Sequence, residues 1–81
     1  MIYKIIDARY VRNYIIHVKF NDGLEGDVDL KNELYGEVFT PLKDLDQFKK
    51  FKVHSEFHTL VWENDADFAP EFLHSIVQIP A

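Results

Sequence analysis

Tyr14-Ile15-Ile16-His17-Val18-Lys19-Phe20-Asn21-Asp22-Gly23-Leu24-Glu25-Gly26-Asp27-Val28-Asp29-Leu30 is the stretch from which the fold is read. Tyr14, Ile16, Val18 and Phe20 alternate with Ile15, His17 and Lys19, while Leu24, Gly26, Val28 and Leu30 alternate with Glu25, Asp27 and Asp29. Successive side chains of a strand point to opposite faces, so both runs predict strands with one face buried. A one-residue slip in their pairing would send every side chain to the wrong face, and this constrains the loop between them. A two-residue Asp22-Gly23 turn pairs Phe20 with Glu25 and Val18 with Asp27, which places acids on the core side. A three-residue loop, Asn21-Asp22-Gly23 with a left-handed glycine, pairs Phe20 with Leu24 and Ile16 with Val28. The apolar faces then match, and this register is the expected one.

Upstream, Ile2 to Tyr10 reads as a third strand. A similar loop across Val11-Arg12-Asn13 pairs Tyr10 with Tyr14, Ala8 with Ile16 and Ile6 with Val18. On the opposite face His17 then lies between Asp7 and Asp27, and Lys19 faces Glu25, as favourable cross-strand charge pairs do. Two flanking carboxylates predict a His17 pKa above its ordinary value. Tyr3, Ile5 and Ile15 are left as apolar residues on that outer face. Such a patch suits self-association or cover by a helix.

Downstream, Lys31 to Gly36 reads as a helical turn closed by glycine. Asp44 reads as a helix N-cap with Gln47 as its capping-box partner, and Leu45, Phe48 and Phe51 form the inward face. Lys49, Lys50 and Lys52 follow at the end of that helix, where its dipole favours cations. Phe57 to Trp62 is rich in β-branched and aromatic residues and predicts a further strand, with a turn at Glu63-Asn64-Asp65 and a brief return at Phe68. Trp62 is expected to close the core or its rim. Pro70 at a first helical position starts a second helix with Phe72, Leu73 and Ile76 inward and Pro80 as its stop. The expectation is a single α+β domain over residues 1–81: an antiparallel three-stranded meander plus a further strand or hairpin, with two short helices packed on the sheet.

Composition narrows the function classes. A chain of 81 residues, 47% hydrophobic, has the apolar content for one core despite its charged share of 28%. At this size a domain buries only about 60 to 65% of its unfolded surface. Fourteen acidic against nine basic residues give a net charge of -5, a sign that repels phosphate backbones and steers basic proteins inward. The expected partner is therefore a small basic protein, with no direct nucleic acid and no membrane. With no cysteine, a disulfide framework, a thiol nucleophile and a thiolate metal site are excluded. The start of the chain lacks a basic region followed by an apolar run, so the cytoplasm is the expected location.

Two groups of residues look chemically active. His54, Glu56 and His58 would share one face if that segment were extended, and two imidazoles with a carboxylate suit iron or zinc. An exposed strand edge explains the same pattern without a ligand. Glu63, Asp65 and Asp67 resemble part of a calcium loop but lack its glycine and its distant bidentate glutamate; turn chemistry accounts for them. No nucleophile elbow, phosphate loop or dinucleotide fingerprint is present, so no catalytic residue and no cofactor are expected.

Thr59 to Leu73, read with Phe20-Asn21-Asp22-Gly23, Asp29-Leu30 and Gly36 to Phe39, resembles the small bacterial family called domain of unknown function 2442. The likeness covers nearly the whole chain and brings no activity with it. It implies a short stand-alone chain, or the same domain joined to a helix-turn-helix, and pairing with small neighbouring proteins in toxin and antitoxin style modules. No helix-turn-helix is expected within these residues. The leading expectation is a noncatalytic protein-interaction module, antitoxin-like or regulatory, contacting its partner through Glu25, Asp27 and Asp29 and through Glu63, Asp65 and Asp67. The alternative is a metal-binding protein or metal-dependent enzyme using His54, Glu56 and His58.

Overall fold

The computed structural model describes residues 2–78. Strands β1 (Ile5–Arg12), β2 (Ile15–Phe20) and β3 (Glu25–Asp29) form an antiparallel sheet in the order β1-β2-β3. Short 3-10 turns at Lys31–Glu33 and Thr40–Lys43 lead into a single helical turn, α1 (Leu45–Phe48). A two-stranded antiparallel sheet of β4 (Lys52–Val53) and β5 (Leu60–Val61) follows, and then helix α2 (Pro70–Ile76). The architecture is α+β, as the alternation and the proline-started helix predict.

The β2–β3 register is the expected one. Ile16 faces Val28, His17 faces Asp27 and Lys19 faces Glu25. Phe20 N–H bonds Leu24 O at 2.8 Å, and Gly23 holds φ +91, a left-handed conformation that L side chains rarely adopt. The β1–β2 register differs from expectation by two residues over its middle. Ala8 lies opposite Val18, Tyr10 opposite Ile16 and Arg9 opposite His17, so Asp7 faces Lys19 and does not flank the imidazole.

The difference has two causes. The chain reverses through Asn13-Tyr14, with Asn13 at φ 47, so that Arg12 faces Ile15. Irregularities then interrupt β1 between Tyr10 and Arg12 and between Ile5 and Asp7. Each such bulge rotates the strand and moves the following side chain to the other face. The second one turns Ile5 inward, opposite Phe20 and 0% exposed, and leaves Ile6 57% exposed. With Ile5 buried and Tyr3 and Ile15 half-buried, the expected Tyr3, Ile5 and Ile15 surface patch does not form.

Helix α1 is shorter than its sequence suggests. Asp44 caps it by accepting from Asp46 N–H at 3.0 Å, not through a reciprocal bond with the Gln47 side chain. A continuing helix would pair the Phe48 carbonyl with a later amide. Instead Trp62 Nε1–H donates to that carbonyl at 2.9 Å, in the interior. Ending the helix there frees Lys52 and Val53 to form β4, and leaves Phe51 half-buried beyond it.

The strand expected over Phe57–Trp62 is reduced to Leu60–Val61. His58, at φ 53, breaks the extended backbone. Trp62 N–H to Ala66 O and Asp65 N–H to Trp62 O close the following turn, and Asp67, not Phe68, bridges back to Val61. Thr59 is buried, and its hydroxyl donates to Phe68 O at 2.5 Å.

One continuous core collects Ile16, Val18, Phe20 and Val28 from the larger sheet, Leu42 and Phe48 from the middle segment, Leu60 and Trp62 from the smaller sheet, and Leu73 from α2. At about 25 cal/mol per Å² of apolar area, large aliphatic and aromatic side chains of this kind carry most of the stabilisation. Helix α2 ends at Ile76, and the chain becomes extended at Val77. Gln78 then exchanges two backbone bonds with Asp27, at 3.1 and 2.8 Å, along the outer edge of β3. Pro80, the expected stop, lies outside the described residues. Among the described residues no helix is long and apolar enough to cross a membrane.

Candidate functional site

The two acidic groups singled out in the sequence have different surroundings. His17 of β2 engages the β3 acids: Nδ1 lies 2.8 Å from Asp27 Oδ1, and Nε2 lies 2.8 Å from Glu25 Oε2. Only an imidazolium donates from both ring nitrogens, so this geometry favours the protonated ring. The hydrogen bond to Glu25 and then that to Asp27 raise the His17 pKa above its ordinary value of 6.5, against the opposing effects of burial and, after it, Arg9. The same bond from His17 holds the Glu25 carboxyl below its ordinary value. The expected direction for His17 is right, with Glu25 in the place of Asp7. Asp29 accepts from Lys31 N–H at 3.0 Å and shapes the exit from the strand. All three β3 acids therefore have internal partners.

Glu63, Asp65 and Asp67 belong to the hairpin after β5 and are exposed. They line a groove of about 420 Å³ together with Lys52, His54 and Phe57. Asp65 sits at φ 68, a left-handed position that short acids tolerate better than most residues. The turn is held from inside, since Asn64 Oδ1 accepts from Ala66 N–H and Asn64 Nδ2 donates to Val38 O. Among the described residues no hydrogen bond engages the carboxylates of these three acids, which line the groove with their charge available.

The opposite wall comes from the β4–β5 loop. His54, Glu56 and His58 do not share a strand face, because the segment from Ser55 to Phe57 is a turn. His54 Nδ1 accepts from the backbone amides of Glu56 and Phe57 at 3.0 and 3.1 Å. That lone pair is thereby used in shaping the loop. Among the described residues no group of three or more His, Asp or Glu side chains converges as a metal-holding set. The His54 ring also stacks on Phe57, with centroids 4.4 Å apart, and so presents an apolar ring that is 64% exposed.

A third cluster was not legible in the sequence. His74 of α2 bonds Asp22 Oδ2 through Nε2 at 2.9 Å and stacks on Tyr3 with centroids 3.8 Å apart. Phe20 packs edge-on against the same ring. The Leu24 backbone amide first, and His74 second, keep the Asp22 carboxyl below its ordinary value. These residues tie α2 to the β2–β3 loop across 52 positions of sequence. The only sequence signal for it is that Asp22 precedes the turn glycine.

Residues 5–76 match the profile of the family described as protein of unknown function (DUF2442), and the chain belongs to that family. No curated protein and no solved structure matches it.

Proposed function

We propose that this protein is a small noncatalytic interaction module, the neutralising or regulatory member of a bacterial two-protein pair, and that its hairpin groove receives a basic segment of the partner. The observation that carries this reading is the joint presence of three uncommitted carboxylates, Glu63, Asp65 and Asp67, and the exposed Phe57 around one groove. Carboxylates steer and orient a basic chain, while an exposed aromatic ring supplies the apolar anchor typical of interface hot spots. Phe57 is pre-positioned by its stack on His54, which lowers the ordering cost of association. The β3 acids contribute to the long-range field, but their side chains are engaged within the molecule, so the contact centres on the hairpin.

The test is capture from the native host at low and high salt, followed by binding of the purified captured protein. Screening shortens from about 8 Å at physiological salt to about 3 Å at 1 M, so a charge-steered complex should weaken across that range. The expected result is one small basic protein that binds the wild-type chain and loses affinity for the variant Glu63→Gln, Asp65→Asn, Asp67→Asn. Undiminished binding to that variant, or no basic protein retained, would overturn the reading.

A further inference from the structure

A second groove lies beyond the acidic hairpin, about 260 Å³ in volume, lined by Glu33, Tyr35, Phe39, Phe68 and Phe72. Its floor is a run of stacked rings. Phe39 and Phe68 have centroids 4.6 Å apart at an interplanar angle of 28°, and Phe68 and Phe72 are 5.9 Å apart at 21°. Tyr35 stands at its edge, 69% exposed. Among the described residues Glu33 is the one charged member of the lining.

The loop that carries Tyr35 and Phe39 is held by internal hydrogen bonds. Gly36 takes φ +88, and its carbonyl accepts from both the amide and the hydroxyl of Thr40, at 2.9 and 2.7 Å. Asn64 of the acidic turn donates to Val38 O at 2.8 Å, which couples this loop to the neighbouring groove. Trp62 packs edge-on against Phe68 and joins the two sites through the core.

We infer that this aromatic groove is the subsite that takes an arginine side chain of the partner, an inference that rests on the basic-partner reading above. Phe39, Phe68 and Phe72 stack on one another, while the exposed Tyr35 ring offers a face whose negative potential attracts a guanidinium, a group that stacks on rings as well as pairing with a carboxylate. Glu33 supplies that carboxylate at the rim. An apolar occupant would desolvate Glu33 with no compensating bond, whereas arginine satisfies it. The volume is below the roughly 300 to 1,000 Å³ of sites for drug-sized ligands, which suits one side chain and not a cofactor. The net charge of -5 has the complementary sign.

The experiment is an NMR titration of the full chain with acetyl-Gly-Arg-Gly-amide and with its citrulline counterpart, which keeps the shape and removes the charge. The expected result is shifts concentrated on Tyr35, Phe39 and Phe72, weaker with citrulline. Tyr35→Ala should lower the affinity roughly two- to fivefold, the range of an exposed cation–π contact, and Tyr35→Phe should restore it. Tyr35 is exposed, so neither variant should disturb folding. Equal response to citrulline, no effect of Tyr35→Ala, or no shifts at these rings would overturn the inference. Shifts confined to Phe57, Asp65 and Asp67 would also overturn it while leaving the interaction-module reading standing. Failure of that reading is seen separately, in the capture experiment with the acidic-hairpin variant.

Discussion

Replacing Gly26 by alanine separates tertiary packing from local strand chemistry. Gly26 lies opposite Val18 in a regular ladder and has no unusual backbone angle, so an isolated β2–β3 hairpin would accept a methyl group there. Removing a glycine from a compatible position stabilises by about 0.4 to 1 kcal/mol through the unfolded state. In the folded chain, however, the new Cβ would stand 2.5 Å from the Gln78 carbonyl oxygen and 2.7 Å from Val77 Cγ1. The side chain of Val77 can rotate away; the Gln78 backbone must move. That movement breaks the two Asp27–Gln78 backbone bonds. At about 0.5 to 1.5 kcal/mol each they are together worth roughly 1 to 3 kcal/mol. The expected net effect of Gly26→Ala is a loss of about 1 to 2 kcal/mol, measured by urea unfolding, with a melting point lower by roughly 5 to 15 °C. Hydrogen exchange should accelerate at the Asp27 and Gln78 amides. Gly23→Ala is the control: no atom lies within 4 Å of its Cβ, and its φ of +91 alone penalises the change. It should destabilise by about 1 to 2 kcal/mol without selectively exposing those two amides. A Gly26→Ala protein as stable as wild type, with both amides still protected, would refute the reasoning.

Trp62→Phe should cost about 1 to 3 kcal/mol in urea unfolding, because it leaves the buried Phe48 carbonyl without the indole donor that ends α1. His17 and Glu25 give stability a defined pH window. The folded pKa of His17 is raised, so its contribution is complete below its ordinary value of 6.5 and is lost as pH rises through the folded value. Glu25 is lowered, so its contribution is complete above its ordinary value of 4.5 and is lost as pH falls through the folded value. The stability advantage of wild type over His17→Gln should therefore be largest between about pH 4.5 and 6.5 and shrink at higher pH, and an advantage that grows from pH 6 to pH 8 would contradict the assigned geometry.

Legibility followed the range of the determining interactions. The β2–β3 register was readable because alternation on two adjacent strands and a turn glycine constrain one another locally. The β1 register was not, because bulges insert residues without a marked sequence signal, and Ile5-Ile6 offers two apolar neighbours either of which suits the core. At His54 to His58 the period-2 reading failed for a similar reason. His54 uses its ring nitrogen to bind the amides of Glu56 and Phe57, a local competitor to extended structure. In the acidic hairpin the carboxylates were legible as a turn, but their groove needed Phe57 and His54 from the facing loop.

Taken alone, the sequence determined an α+β chain with a three-residue β2–β3 loop, a helix starting at Pro70, an acidic surface and a family membership, since each rests on composition or on neighbours within a few positions. Only the tertiary structure decided which isoleucine of β1 is buried, where α1 stops, why position 26 is glycine, and that His74 meets Asp22. Each of these depends on a contact between segments remote in sequence. Trp62 ends the helix of Phe48, and the chain at Gln78 lies against Gly26, and neither approach leaves a periodic trace in the residues that make it.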